Sequence, residues 1–385
     1  MKKIGVLGSG AMGSGIAQVA ATAGHEVILF DTNELALEKS KSATEKVLNS
    51  LAEKGKMTQK DAQEIKKRIQ YAQSLEDFSK TELIIEAIIE NLAIKQTVFA
   101  QLEKIVSDDC ILATNTSSLS VTSIAGACEK QERVIGIHFF NPAPLMPLVE
   151  IIPGLGTSEK TIETSKNTID SWAKVTVIAK DTPGFIVNRV ARPFYGESIR
   201  LYEEGVADFA TIDWALKEYG GFKMGPFELM DYIGNDINYT VTETVFREFF
   251  YDPRFKPSFT QKRLVEANRL GRKTGKGYYD YTNDAVKPMP VKDELLGKRI
   301  TNRVLAMLIN EAADALLLGV SSKEELDLAM TKGVNYPKGL LKWADEIGID
   351  HVLKTLVELQ EEYGEDRYRP SALLKRMSKN AKSFY

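Results

Sequence analysis

Hydrophobic and polar positions divide the chain near residue 182. Before that point, short apolar runs alternate with longer amphipathic segments, which is typical of a parallel sheet built from strand–helix–strand units. The apolar runs predict strands at 3–7, 27–31, 83–88, 111–114, 134–139, 149–152 and 175–179. The segments between them predict helices, among them 11–23, 34–51 and 92–106. After Pro183 and Gly184 the strand patterns disappear and helical periodicity replaces them.

The helical part contains an internal repeat. Residues 185–236, shifted by 114 positions, align without gaps on residues 299–350 with 14 of 52 identities, where average composition would give about three. The matched pairs include Asn188/Asn302, Arg189/Arg303, Glu197/Glu311 and Asp213/Asp327. We therefore predict three domains: an α/β domain at 1–182, a helical domain at 183–282, and a linker with a degenerate second helical copy at 283–385. The glycine-rich stretch 271–279 closes the first copy, and we expect no counterpart for it before Tyr385.

Composition narrows the function classes. The 50 Lys and Arg residues nearly balance the 53 Asp and Glu residues, for a net charge of −3. A nucleic-acid-binding protein usually has an excess of basic residues, which this chain lacks. No apolar run reaches the ~18 residues that a membrane span needs. The glycine-rich start argues against a signal peptide, and two cysteines, Cys110 and Cys128, suit a reducing, cytoplasmic compartment. A multi-domain enzyme or small-molecule-binding protein remains, and no metal site is predicted.

A glycine-rich turn follows the first predicted strand and opens the first predicted helix. Its sequence from Gly8 to Gly13 is GSGAMG, the spacing of a dinucleotide-binding fingerprint in its informative context. Asp31 ends the second predicted strand, where a carboxylate accepts hydrogen bonds from an adenosine ribose. The next residues, Thr32 and Asn33, include no cation for a 2′-phosphate, so NAD is favoured over NADP. A plain α/β turn with a capping aspartate is the alternative.

Three polar clusters follow apolar runs, the position where open α/β sheets bind ligands. They are 115–118 (NTSS), 137–142 (IHFFNP) and 148–150 (LVE). Glu150 can hold the imidazole of His138 in one tautomer and raise its basicity, which would make His138 a general base. A histidine packed in the core is the alternative for His138. Ser117 is a candidate hydrogen-bond donor to substrate, and a serine nucleophile there lacks the glycine frame of an elbow.

These motifs together resemble the 3-hydroxyacyl-CoA dehydrogenases. The resemblance rests on GSGAMGSGIAQ at the start, EAIIENLAIK at 86–95, NTSSLS at 115–120, HFFNPAPLMPLVE at 138–150 and DTPGFIVNRV at 181–190. GPFELMDYIG at 225–234 and GRKTGKGYYDY at 271–281 are similar to the helical domain of that family. The resemblance to this family implies a Rossmann-type α/β domain with a mostly parallel sheet. With the internal repeat, we expect two all-α domains, tandem copies of each other, to follow it.

The resemblance also implies the reaction and its residues. It is NAD-dependent oxidation of a short-chain L-3-hydroxyacyl-CoA, such as 3-hydroxybutyryl-CoA, and the reverse, as in β-oxidation. His138 would take the hydroxyl proton, Glu150 would orient it, and the family pattern assigns substrate oxygens to Ser117 and Asn188. Lys54 matches a lysine near the CoA phosphates. The implied cofactor residues are Gly8, Gly10, Ala11, Met12, Gly13, Asp31, Glu90, Lys95 and Asn115.

Departures from the family pattern leave alternatives open. Pro147 stands where a lysine is common, and Asn302 lacks the lead-in of Asn188, so we interpret Asn302 as structural. The two helical copies are expected to pair within the chain, giving a monomer or an oligomer through another surface. One alternative function is a dehydrogenase of a free 3-hydroxy acid or sugar acid. Another is a nucleotide-binding protein without catalysis, which the presence of His138 and Glu150 disfavours.

Overall fold

The computed structural model describes residues 2–385 and divides into two compact units, one ending at Thr182 and the other beginning at Pro183. The first unit contains an eight-stranded sheet. Its strands are β1 (Lys3–Leu7), β2 (Glu26–Phe30), β3 (Ile69–Tyr71), β4 (Leu83–Glu86), β5 (Ile111–Thr114), β6 (Val134–Phe139), β7 (Leu148–Pro153) and β8 (Val175–Ile178). Its helices are α1 (Ala11–Thr22), α2 (Glu34–Glu53), α3 (Gln59–Arg68), α4 (Leu92–Ile105), α5 (Val121–Ala125) and α6 (Glu159–Asp170).

The strand order is β3-β2-β1-β4-β5-β6-β7-β8. The first six strands are parallel and follow the doubly wound order of dinucleotide-binding folds. β7 then runs antiparallel to β6, and β8 is parallel to β7. The mostly parallel sheet confirms the predicted fold class of this unit.

Both faces of the sheet are buried, as a parallel sheet requires. Along β2, Val27 and Leu29 pack into one hydrophobic core, whereas Ile28 and Phe30 pack into the core on the opposite face. Successive side chains of a strand point to opposite faces, so a continuous apolar run serves both cores. The strand β3 was not predicted, because its three residues lie directly after the charged helices α2 and α3.

The second unit is helical, as predicted. Its helices are α7 (Val187–Val190), α8 (Arg192–Glu203), α9 (Phe209–Glu218), α10 (Pro226–Ile233), α11 (Asn235–Glu248), α12 (Phe259–Glu266), α13 (Glu294–Leu317), α14 (Lys323–Gly333), α15 (Leu340–Ile347), α16 (Ile349–Tyr363) and α17 (Ala372–Lys379). Among residues 2–385, no helix has the length and apolar character needed to cross a membrane.

Two aspartates, the buried Asp213 and the half-buried Asp327, stabilise α10 and α15 in the same way. Asp213 accepts hydrogen bonds from two N–H groups at the start of α10, each 2.9 Å long. Asp327, 114 positions later, accepts two from the start of α15, at 2.8 and 3.0 Å. A carboxylate that accepts from unpaired N–H groups of a helix terminus caps that helix and favours its macrodipole. Gly225 and Gly339 precede the two helices, and a Cβ there would lie 2.3 or 2.2 Å from the aspartate side chain.

The expectation that the closing stretch of the first copy lacks a counterpart is wrong. Asp231 accepts hydrogen bonds from the N–H groups of Tyr278 and Tyr279, at 3.0 and 2.9 Å. Asp345 accepts the same pair of bonds from residues 384 and 385, at 2.9 and 2.8 Å. The hydroxyl of Tyr279 also donates to Asp213 and that of Tyr385 to Asp327. The rest of the repeat aligns with a shift of 114 positions, but the two closing segments are only 106 positions apart (384 − 278). An alignment without gaps therefore does not detect their relationship.

Two buried ion pairs join residues 183–282, the first half of the helical unit, to residues 283–385, its second half. The Nε of Arg189 donates to Glu311 at 2.6 Å, and the Nε of Arg303 donates to Glu197 at 2.6 Å. The arginines are 114 positions apart, and so are the glutamates. Each half therefore supplies one arginine and one glutamate, the pattern of an interface in which residue i meets j and j meets i.

Candidate active site

The glycine-rich turn connects β1 to α1. Its three fingerprint glycines differ in the space that a side chain would have there. A Cβ on Gly8, whose φ is +100°, would lie 2.6 Å from the carbonyl oxygen of Ala87. One on Gly13 would lie 1.8 Å from the carbonyl oxygen of Gly8. Around Gly10, in contrast, no described atom outside the glycine and its immediate neighbours in the chain lies within 4 Å of a Cβ position. The outer glycines are therefore required by close packing, whereas Gly10 leaves open space beside the backbone.

That open space suits the pyrophosphate of a dinucleotide. Gly10 is the N-cap of α1, and the first turn, which includes Ala11 and Met12, carries no acidic residue. Unpaired N–H groups and the positive end of a helix dipole attract phosphate oxygens. The residues present therefore fit NAD, with the backbone of the turn as its phosphate cradle.

Asp31 directly follows β2 and its carboxylate is tied to the same turn. One oxygen accepts from the Ser9 N–H at 2.7 Å and from the Ser9 hydroxyl at 2.8 Å. The other accepts from the Asn33 N–H at 2.9 Å. These bonds orient the half-buried carboxylate beside the glycines, in the position where the sequence predicts contact with the ribose.

Glu90 connects the loop after β4 to the polar cluster after β5. One of its oxygens accepts from the Thr116 hydroxyl at 2.5 Å, from the Ser117 N–H at 3.1 Å and from the Ser118 hydroxyl at 3.2 Å. Burial alone would raise the pKa of Glu90, but Lys95 and these hydrogen bonds outweigh it, so the pKa lies below its usual range. Glu90 therefore stays ionised and positions the backbone of Ser117.

Lys95 is buried between two carboxylates. Its Nζ lies 2.5 Å from Glu86 and 3.3 Å from Glu90, and its side chain is only 1% exposed. Glu86, fully buried at the end of β4, also accepts from the Thr114 hydroxyl at 2.7 Å and from the Ile88 N–H at 2.7 Å. A buried ion pair of this kind holds its members in one geometry because every polar atom needs its partner.

The sequence reasoning missed Glu86. The available signal was a carboxylate that ends an apolar run, LIIE at 83–86, nine positions before Lys95. A buried charge at the end of a strand requires a partner of opposite charge. Lys95 is that partner, although the sequence assigned it only to the cofactor site.

His138 and Glu150 face each other across the antiparallel pair β6 and β7. They are direct partners in the register, and the His138 Nδ1 lies 2.7 Å from a Glu150 oxygen. Glu150 is fully buried and His138 is 5% exposed. An ionised carboxylate only accepts, so in the neutral ring Nδ1 carries the hydrogen and Nε2 is the acceptor nitrogen. The ring of Phe140 packs on the imidazole at 4.6 Å.

Asn115 joins the ends of neighbouring strands. Its side-chain oxygen accepts from the Phe139 N–H at 2.8 Å, next to His138. Its own N–H donates to the Glu86 carbonyl at 2.7 Å. The end of β5 is thereby connected both to the strand that carries His138 and to the ion pair of Lys95.

The remaining candidates lie in different places. Ser117 is half-buried in the loop after β5, whereas Lys54 is exposed at the C-terminal end of α2. Asn188 belongs to the helical unit, in α7, where its backbone carbonyl accepts from the Arg192 Nε at 2.9 Å. Within the first unit the structure thus brings together the glycine turn with Asp31, Glu90 with Ser117, and His138 with Glu150.

Models of one protein family match both units of the chain. The model of the 3-hydroxyacyl-CoA dehydrogenase NAD-binding domain matches residues 3–182. The C-terminal-domain model of the same family matches residues 184–281 and again 300–383.

Curated and solved relatives cover most of the chain. An Escherichia coli 3-hydroxyadipyl-CoA dehydrogenase is 37% identical, with 97% of each chain covered. A mitochondrial hydroxyacyl-coenzyme A dehydrogenase of Sus scrofa is 42% identical, over 73% of this chain and 91% of the relative. The crystal structure of an Escherichia coli 3-hydroxybutyryl-CoA dehydrogenase superposes with a TM-score of 0.93 at 36% identity, with 98% of each chain covered.

Proposed function

The chain belongs to the 3-hydroxyacyl-CoA dehydrogenases, an NAD-dependent oxidoreductase family, and we propose that it oxidises a short-chain L-3-hydroxyacyl-CoA, such as 3-hydroxybutyryl-CoA, to the 3-oxoacyl-CoA and catalyses the reverse. The single observation that carries this proposal is the buried pair of His138 and Glu150 at 2.7 Å. It sits in a domain whose glycine turn fits NAD.

In this proposal His138 is the general base. With Nδ1–H held by Glu150, its Nε2 takes the proton of the substrate 3-hydroxyl. Glu150 offsets the positive charge that forms on the ring and holds its orientation, as a buried carboxylate does in other histidine bases. NAD, when bound, accepts the hydride released from C3.

Ser117 and Asn188 hold the substrate oxygens in the proposal, and Lys54 contacts the CoA phosphates. The hydrogen bonds of Glu90 support the role of Ser117, because they restrict the loop that carries it. The exposure of Lys54 supports contact with a phosphate, which is a solvated group. Lys95 and Asn115 complete the cofactor side together with Glu90. Their buried bonds support that assignment by fixing the ends of β4 and β5.

The helical unit, we further propose, consists of two copies of one domain that pair within the chain. The reciprocal pairs Arg189–Glu311 and Arg303–Glu197 support this pairing, as does the double match of the family model. The paired surface is then used inside one chain, which leaves a monomer or an oligomer through another face. Light scattering after size exclusion tests this: a dimer held through residues 185–280 would contradict it. Two free buried thiols, Cys110 and Cys128, fit a reducing compartment such as the cytoplasm.

The reaction is tested by following NADH absorbance at about 340 nm with acetoacetyl-CoA and, separately, with free acetoacetate. Oxidation of NADH with the thioester supports the proposal. Turnover of the free acid alone would favour a dehydrogenase of free 3-hydroxy acids or sugar acids instead. Absence of turnover with either substrate, in protein that binds NAD, would favour a nucleotide-binding protein without catalysis.

A further inference from the structure

Buried arginines of the helical unit are paired with carboxylates, with one exception. Arg189, Arg254 and Arg303 have glutamate or aspartate partners within 3.3 Å, and Arg367 has glutamates at 3.4 and 3.8 Å. Arg192 is equally buried, at 7% exposure, yet among residues 2–385 no carboxylate forms an ion pair with it. Removing a cation from water is costly unless an anion accompanies it. Arg192 therefore lacks the counter-charge that its environment requires.

The neutral contacts of Arg192 use only part of its hydrogen-bonding capacity. Its Nε donates to the Asn188 carbonyl at 2.9 Å and one terminal nitrogen donates to the Thr242 hydroxyl at 3.2 Å. The guanidinium lies 4.9 Å from the centre of the Tyr195 ring, so a cation–π contact offsets some of the burial cost. A guanidinium has five N–H donors in a planar fork that matches a carboxylate, and these contacts engage two of them.

A second buried donor near Arg192 has no partner. The hydroxyl of Tyr336 is fully buried and forms no hydrogen bond with the described residues. The phenols of Tyr195 and Tyr336 are the titratable groups that act electrostatically on Arg192, and burial lowers the pKa of that guanidinium. Unsatisfied buried hydroxyls are rare in folded proteins and call for an explanation. A cation without an anion and a phenol without an acceptor, in one apolar region, are explained together by an absent anion.

The other helical half provides an internal comparison. At the positions related by 114 residues, Arg192 corresponds to Ala306 and Tyr195 to Ile309. The arginines of the reciprocal ion pairs, Arg189 and Arg303, are present in both halves. Packing of the helices therefore does not require Arg192. Its place, four residues after Asn188 and hydrogen-bonded to the Asn188 carbonyl, points to a role on the substrate side.

We propose that Arg192, with the hydroxyl of Tyr336, binds a carboxylate at the far end of the acyl chain, so that the preferred substrate is a 3-hydroxyacyl-CoA of a dicarboxylic acid. This inference rests on the proposed function, in particular on Asn188 holding a substrate oxygen. The Nε of Arg192 donates to the backbone carbonyl of Asn188 at 2.9 Å, so a carboxylate only three carbons beyond C3 stays within reach of the guanidinium when Asn188 holds a substrate oxygen. Tyr336 comes from the second helical half, which would thereby contribute to specificity.

The test compares 3-hydroxyadipyl-CoA with 3-hydroxyhexanoyl-CoA, in which a methyl group replaces the carboxylate. For the unchanged protein, kcat/KM should be roughly tenfold to a hundredfold higher for the adipyl thioester, the range expected for a charge-assisted hydrogen bond. Arg192→Met should bring the ratio of the two kcat/KM values close to one. Tyr336→Phe, which removes only one oxygen, should lower the ratio less and keeps the fold testable if Arg192→Met fails to fold.

A binding measurement separates recognition from chemistry. Calorimetry with adipyl-CoA and hexanoyl-CoA, neither of which can react, should show the same preference and the same loss in Arg192→Met. Arg247→Met, on the exposed side of α11, is the matched control and should keep the preference. Equal kcat/KM for both substrates in the unchanged protein would overturn the carboxylate site but leave the proposed dehydrogenase intact. No turnover of either would instead overturn the proposed function.

Discussion

Arg189 and Glu311 form a buried ion pair, 2.6 Å long and at most 2% exposed, between residues 122 positions apart in the chain. Its mirror image, Arg303 with Glu197, has the same length. Charges at this depth stabilise a particular arrangement of helices, because a buried charge that loses its closest partner is poorly compensated. Glu311 would retain only Arg254, at 3.3 Å.

We expect a double-mutant cycle to reveal this dependence. Arg189→Met or Glu311→Gln alone should lower the free energy of unfolding by about 3–5 kcal/mol, and the double variant by clearly less than the sum. Denaturant unfolding provides the measurement. Lys298→Met and Glu294→Gln, an exposed pair on α13, serve as the control cycle, with a coupling of about 0.3–0.5 kcal/mol. Additive losses for the buried pair would show that each side chain acts independently.

Replacing the proposed base should abolish the reaction without removing the cofactor. His138→Ala is expected to lower kcat on the order of a hundredfold to ten-thousandfold, since proton transfer would then rely on water. NAD affinity, measured by fluorescence titration, should change little because the glycine turn is separate from β6. His351→Ala, at an exposed position on α16, should behave as the unchanged protein. If His138→Ala retained substantial activity, another group would have to be the base.

Glu150→Gln tests orientation rather than proton removal. A glutamine can present its NH₂ group to Nδ1, which favours the tautomer with the hydrogen on Nε2 and blocks the acceptor nitrogen. We expect kcat to fall at least about a hundredfold with a small change in KM. Glu163→Gln, on α6 of the same unit, is a suitable control. An unaltered kcat would mean that His138 needs no carboxylate.

Two glycines of the turn should respond differently to alanine. Gly10→Ala adds a methyl group to open space, so the fold should persist while NAD affinity falls by about tenfold, or 1.4 kcal/mol. Gly13→Ala places a Cβ 1.8 Å from a carbonyl oxygen, so the melting temperature itself should fall through overpacking. Thermal unfolding and NAD titration of both variants make the comparison. A stable Gly13→Ala protein, or a Gly10→Ala protein with full NAD affinity, would contradict it.

Asp213 should make stability depend on pH. Burial raises the pKa of its carboxyl to about 7, although bonds from Tyr279 and the start of α10 lower it. Because the folded value lies above the unfolded one, its contribution is complete below pH ~4 and is lost as pH rises through ~7. That loss amounts to at most about 4 kcal/mol.

Denaturant unfolding between pH 4 and 7 measures this effect. Asp213→Asn is less stable overall, since an amide cannot accept all three hydrogen bonds, but its free energy of unfolding should fall less steeply with pH. Asp109→Asn, at an exposed position, should keep the original slope. Identical slopes in all three proteins would exclude Asp213 as the titrating group.

Local signals in the sequence predicted much of the first unit. Apolar runs identify strands buried on both faces, and a glycine turn between a strand and a helix identifies the dinucleotide fold, because both patterns come from short-range geometry. The partnership of Glu86 with Lys95 and the short strand β3 escaped notice, since they depend on which segments become neighbours in space. The aspartate contacts of residues 384 and 385 were hidden by an eight-residue difference in spacing (114 − 106).

The contrast between Arg192 and Ala306 has a consequence for how such a protein can change. In an assembly of identical chains every substitution appears on both sides of the symmetry axis, so a change useful at one site is imposed on its twin. Here the two halves are encoded separately. Both halves can keep the arginine and the glutamate that hold the helices together, while only one of them carries a polar side chain suited to a new ligand.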